Sequence, residues 1–126
     1  MKYVFTFVTI LFLSLISSHS MHSQEAEKVV IDNLKVEIKE LANGSICSDE
    51  YTCFSVGIGS KPCGGFWEYL IYSGSIDVET FFTKIETLNE LEKKYNVKYS
   101  IQSDCYIAMP PVSVSCEDGK CIGVFQ

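Results

Sequence analysis

Arginine is absent from this 126-residue chain, and histidine occurs only at His19 and His22. Without histidine in the body of the chain, a serine or cysteine nucleophile lacks its commonest base. No pair of cysteines has the C-x-x-C spacing, so the reactive dithiol that sits at a helix N-terminus is missing too. No cysteine precedes Cys47, which excludes lipid attachment to a cysteine at a leader cleavage site. No D-x-D-x-D-G calcium loop occurs, and Cys63-Gly64-Gly65 lacks the lysine, threonine and spacing of a phosphate loop. No internal repeat or low-complexity tract interrupts the chain.

The first segment, MKYVFTFVTILFLSLISSHS, carries one positive residue, Lys2, then an uncharged apolar run from Tyr3 to Ile16, then small polar residues. This order reads as a signal peptide, and the run is shorter than the ~20 apolar residues of a spanning helix. Cleavage is expected after Ser20 or Ser23, so residues 1–23 are assigned to the leader and residues 24–126 to a single domain with no stable membrane insertion after cleavage. Cleavage after Ser23 removes both histidines. Export to a secreted or periplasmic location puts all six cysteines where disulfides form and persist. Nine of the ten lysines and all sixteen acids lie beyond the leader, a net of about seven negative charges, which repels nucleic acid and anionic membrane surfaces.

Short strands around one helix are expected in the body of the chain. Residues 24–30 are polar and read as a flexible lead. Leu34, Val36 and Ile38 alternate with Lys35, Glu37 and Lys39, the period of a half-wet strand ended by Asn43-Gly44. Further strands are expected at Phe54–Ile58, Trp67–Tyr72, Cys105–Met109, Val112–Cys116 and Cys121–Phe125. Between Asp77, an N-cap candidate, and Tyr95, the residues Val78, Phe81, Phe82, Ile85, Leu88 and Leu91 recur every three or four positions, which predicts an amphipathic helix. The expected fold is α+β: a small, mostly antiparallel sheet with one amphipathic helix, stapled by disulfides.

Asp118-Gly119 predicts a two-residue hairpin turn, with Glu117 opposite Lys120 and Cys116 opposite Cys121. A facing pair at that position has Cα atoms ~4.5 Å apart, within bridging range, so a Cys116–Cys121 disulfide is expected. The other four cysteines allow three pairings; the preferred one joins Cys47 to Cys53 around a turn at Asp49-Glu50, and Cys63 to Cys105.

The run CSDEYTCFSVGIGSKPCGGFWEYLIYS, the later SDC at 103–105 and CEDGKC at 116–121 together resemble a group of small exported cysteine-rich bacterial proteins of unassigned activity. These share a C…C…G…CGG…Y…YS…SDC…C…G.C order. The resemblance covers most of the chain beyond the leader and implies a common disulfide-bonded fold. Many of those proteins have proline after the two glycines, where this chain has Phe66.

No catalytic residue, metal site or cofactor is expected. Trp67, Tyr69 and Tyr72 stand at strand spacing and read as core, with a ligand- or protein-binding face as the alternative where they are exposed. Asp49, Glu50, Asp104, Glu117 and Asp118 fall in or near loops, and Glu86 and Glu90 on a solvated helix face. By elimination the expected function is non-enzymatic binding of an unknown protein or small ligand, with a proteinase-inhibitor-like module as the sharper form. Lys61 followed by Pro62 makes a poor scissile bond for the latter. The alternative is a small extracytoplasmic hydrolase that uses carboxylates only. Candidate binding residues lie in two loops whose backbones proline and glycine restrict: Lys61, Pro62, Gly64, Gly65 and Phe66 in one, Met109 and Pro110 in the other.

Overall fold

The computed structural model describes residues 2–126, with side chains from Met21 onward. The side chains of most of the expected leader therefore lie outside the described residues. The elements in order are α1 (Lys2–Asn43), β1 (Cys53–Ile58), β2 (Glu68–Ser73), α2 (Val78–Lys98), β3 (Ser113–Glu117) and β4 (Lys120–Val124). The chain divides within α1 into two units, the second being Ile31–Gln126. In the first unit, Ser23 Oγ donates to Glu27 at 3.4 Å. Among the described residues no helix is long and apolar enough to cross a membrane.

α1 overturns two expectations, the flexible lead at 24–30 and the strand at 34–38. The alternation of Leu34, Val36 and Ile38 is real but incidental. A second apolar series, Ile31, Leu34, Ile38, Leu41 and Ala42, recurs at three and four residues and fits one helix face. Ile31, Ile38 and Ala42 are buried, Leu34 and Leu41 pack against that core, and Val36 is 53% exposed. Lysine, glutamate, leucine and alanine are good helix formers, so local preference and tertiary burial agree. Beyond the end of the helix the Gly44 amide donates to Glu40 O at 2.9 Å.

The other elements follow their sequence signals closely. Asp77 caps α2, its Oδ1 accepting from the Thr80 amide at 3.1 Å. Phe81, Ile85, Leu88 and Glu92 are its buried stripe. β1 and β2 pair antiparallel with Phe54 opposite Tyr72 and Val56 opposite Leu70. β3 and β4 pair antiparallel around Asp118 (φ 50°) and Gly119 (φ 77°), the two positive φ values of the expected turn. The strands form two two-stranded sheets rather than one, and residues 105–109 belong to no strand. The result is a disulfide-stapled α+β fold whose core joins Ile31 and Ile38 of α1, Ile58 and Tyr72 of the first hairpin, and Phe81, Ile85 and Leu88 of α2.

Two of the three expected bridges are different. Cys47 is bonded to Cys116 and Cys53 to Cys121, whereas Cys63 is bonded to Cys105. Cys116 and Cys121 do face each other in register, yet each bonds outward from the hairpin instead of across it. Closing six- or seven-residue loops restricts the unfolded chain by only about 2 kcal/mol, against about 4 kcal/mol for the loops actually closed, so the long-range bridges stabilise the folded state more once formed. Those loops have sequence separations of 69 and 68. The long-range pairing also fastens the hairpin to the body, which the local pairing does not.

Candidate functional site

A groove of about 480 Å³ opens where the start of β2, the segment before β3 and the residues after β4 meet. Trp67 and Tyr69, two residues apart at the start of β2, form one wall. Tyr106, Met109 and Val112 form the second, and Phe125 closes the end. Strand alternation explains the selection from the aromatic run: Trp67 and Tyr69 share a face, and Tyr72 turns to the other. Tyr72 is buried in the core and Trp67 is 38% exposed, so only Tyr72 meets the core expectation fully. Opposite them, Tyr106 is 72% exposed and Met109 65%.

The irregular segment that carries Tyr106 and Met109 is held at three points. The Cys63–Cys105 bridge ties it to the glycine loop, with Cα atoms 5.4 Å apart. The Val112 amide donates to Val124 O at 2.8 Å, fixing its far end beside the second hairpin. Lys61 is the third tie. Its Nζ donates to Asp104 Oδ1 at 2.7 Å and to Tyr106 O at 2.6 Å, and lies 5.0 Å from the Trp67 ring centre, within cation–π range. Lys61 is 6% exposed, which corrects its placement among the presented loop residues: it is an internal anchor. The hydrogen bond from Lys61, reinforced by its charge, holds the Asp104 carboxyl below the usual aspartate range.

A polar clamp from α2 sets the path into Lys61. Asn89 Oδ1 accepts from the Gly59 amide at 2.8 Å, Glu92 accepts from the Ser60 amide at 2.5 Å, and Asn96 Nδ2 donates to Ser60 O at 2.7 Å. Lys35 Nζ neutralises Glu92 at 2.7 Å. Gly59 is required here: its φ is +81°, and a Cβ would come within 2.5 Å of Trp67 and 2.8 Å of Glu92 Oε2. The sequence shows the helical spacing of these clamp residues but not the amides they hold. Asn89, Glu92 and Asn96 continue at helical spacing beside the apolar stripe, whereas attention to Glu86 and Glu90 picked the solvated face.

The glycine loop is a tight turn next to a disulfide. The Gly64 amide donates to Lys61 O at 2.9 Å and the Lys61 amide to Gly65 O at 3.0 Å, with positive φ at both Gly64 and Gly65. Both glycines are exposed and Pro62 is half-buried, and none of the three lines the groove. Phe66 sits over Gly57, where a Cβ would lie 2.2 Å from its ring, and its edge meets Tyr69 with ring centres 5.8 Å apart. Of the expected binding residues, Met109 and Pro110 are therefore brought into the groove, and the Cys63 loop is joined to its second wall through the bridge to Cys105. Trp67 belongs to the aromatic stretch weighed as a binding face, whereas Tyr106 and Phe125 were missed as groove-lining groups, because periodicity does not say which face of a short strand or coil is covered.

The carboxylates with displaced pKa values, Asp77 and Asp104, are both held down, Asp77 chiefly by the Thr80 side chain. A general acid needs the opposite shift. The Sγ atoms of Cys47, Cys53 and Cys121 lie within 4.8 Å of one another, but all are disulfide-bonded and supply no thiolate for a metal. No protein-family model, curated protein or solved structure matches the chain.

Proposed function

We propose that this chain is an exported, non-enzymatic binding domain and that it takes its protein or small-ligand partner in the groove between Trp67, Tyr106 and Phe125. The observation that carries it is the combination of exposed aromatic and thioether side chains with a backbone anchored beneath them by Lys61 and the Cys63–Cys105 bridge. Amphipathic aromatic groups on a preorganised frame lose little entropy on binding. Three disulfides with no free cysteine among the described residues support an oxidising compartment outside the cytoplasm. A proteinase-inhibitor form would have to present Tyr106–Met109, since Lys61 is withdrawn.

The test is photo-crosslinking from a reactive residue at position 109 to the proteins and small molecules of the compartment to which the chain is exported. Capture should fall at least about tenfold in Tyr106→Ala and Phe125→Ala, which remove groove walls, with the melting temperature unchanged. Capture that survives both substitutions, or that is lost on changing Glu86 and Glu90 instead, would remove the groove from consideration.

A further inference from the structure

The bridges Cys47–Cys116 and Cys53–Cys121 lie side by side. The sulfurs of Cys47, Cys53 and Cys121 fall within 4.8 Å of one another although they belong to two different disulfides. Cys116 and Cys121 are direct partners in the register of β3 and β4, so their side chains share a face at a separation a disulfide can span. Each of the four cysteines thus has a second cysteine next to it besides the one it is bonded to. These second neighbours make a complete alternative pairing, Cys47 with Cys53 and Cys116 with Cys121. Burial adds a direction of attack: Cys116 is exposed, Cys53 and Cys121 are half-buried, and Cys47 is buried.

We propose that this cluster is a thiol-gated isomerisation switch, in which a small monothiol lets the two long-range bridges exchange with two local ones, with no net change in oxidation state. The monothiolate attacks the exposed Cys116 sulfur; the Cys47–Cys116 bond breaks, and its electron pair leaves on Cys47 as a thiolate. The Cys47 thiolate attacks the neighbouring Cys53 sulfur, forming Cys47–Cys53 and expelling Cys121 as a thiolate. Cys121 then attacks the mixed disulfide at Cys116, which it faces across the hairpin, forming Cys116–Cys121 and releasing the monothiolate. Every step breaks one S–S bond and forms one, and the monothiol is regenerated.

The structural consequence follows from what holds the second hairpin. No residue of β3 or β4 is buried, so the two outward bridges are its main attachment. After exchange each bridge closes within its own segment, and the hairpin keeps chain connectivity, surface contacts and the hydrogen bond from the Cys47 amide to Gly119 O at 3.0 Å. Regions with so few buried contacts open at low free energy, which makes the hairpin a two-state element, locked in one pairing and released in the other.

The decisive experiment uses the native oxidised protein under argon at about pH 8 with about a tenth of a molar equivalent of glutathione. The reaction is quenched with acid, and bridges are mapped after cleavage at acidic residues and at Lys120 without reduction. Cys47–Cys53 and Cys116–Cys121 should appear together, in more copies than the glutathione added, with Cys63–Cys105 intact. Absence of the new pairs, simple opening to thiols, or scrambling that draws in Cys63 or Cys105 would overturn the proposal. An independent arm uses Cys47→Ser, where the released Cys116 should capture Cys121 and leave Cys53 as the thiol that alkylates. Cys116 labelling beside an intact Cys53–Cys121 bridge would count equally against it.

Discussion

The two hairpins have the same antiparallel topology and are secured by different forces. In β1–β2, Ile58 and Ser73 are fully buried and Tyr72 nearly so. Tyr72 packs on Phe81 of α2 with ring centres 5.0 Å apart, and burial raises its phenol pKa. Nine residues, 59–67, separate those strands, and a side-chain clamp from α2 has to shape them. In β3–β4 a two-residue turn does that work locally, but no strand residue is buried. Besides the two bridges it meets the body where the Cys47 amide donates to Gly119 O at 3.0 Å and where Gly123 lies against Ile71, so that a Cβ there would come within 2.8 Å of the Ile71 side chain. A hairpin that buries apolar area is held by its core, whereas one that forms its turn well but buries little needs covalent attachment.

That contrast breaks most completely under full reduction. Each of the three bridges contributes about 4 kcal/mol by chain entropy, and their loss together is comparable with the whole stability of a small domain. Excess reductant should abolish the cooperative thermal transition seen by circular dichroism; a reduced protein that melts within a few degrees of the oxidised one would show that the bridges are incidental. Next in size, Phe81→Ala removes a fully buried ring between α2 and Tyr72 and should cost about 3–5 kcal/mol. Denaturant titration measures that loss, and hydrogen exchange in the oxidised protein should quicken in β1–β2 well before β3–β4 loses its bridges.

Smaller effects sharpen the comparison. Gly119→Ala places a side chain at φ +77° in the second turn and should cost about 1 kcal/mol. The same exchange at Gly64 meets equally open space at φ +92°, so similar costs at both positions would mean that backbone strain dominates in both loops. The smallest expected change is a pH dependence. The Asp104 carboxyl is held below its ordinary value of 3.8 by Lys61, so the folded state binds that proton less readily than the unfolded state. Its contribution is present above about pH 4 and fades as pH falls through the lowered value. Asp104→Asn should flatten that part of the acid-stability curve, and an unchanged curve would detach Asp104 from the anchor.

The glycine loop and the long helix show where local signals sufficed and where they misled. Positive φ at Asp118 and Gly119 was legible because few residue types tolerate it, and the turn at Gly64-Gly65 was legible as a turn. The Asp77 cap and the α2 stripe were legible because capping and 3.6-residue periodicity are local physics. Residues 31–43 were ambiguous, since Leu34, Val36 and Ile38 fit a strand and Ile31, Leu34, Ile38 and Leu41 fit a helix. Only burial against Phe81 and Leu88 decides between them. Glu92 was overlooked for a related reason: a charged residue beside an apolar stripe is invisible as a clamp until the Ser60 amide is placed against it.

From the sequence alone came the disulfide-bonded state of the six cysteines, the second hairpin with its register, and the capped helix α2. All of these depend on composition or on residues close together in the chain. Three features depended on the tertiary structure: the pairing of Cys47 with Cys116 and of Cys53 with Cys121, the withdrawal of Lys61 beneath Trp67 and Tyr106, and the exposure of Tyr106 and Met109 along the groove. In each, residues about 40 to 70 positions apart are brought into contact, and the choice among partners is made by which apolar faces are covered elsewhere in the fold, a sum over many weak contacts that no local pattern records.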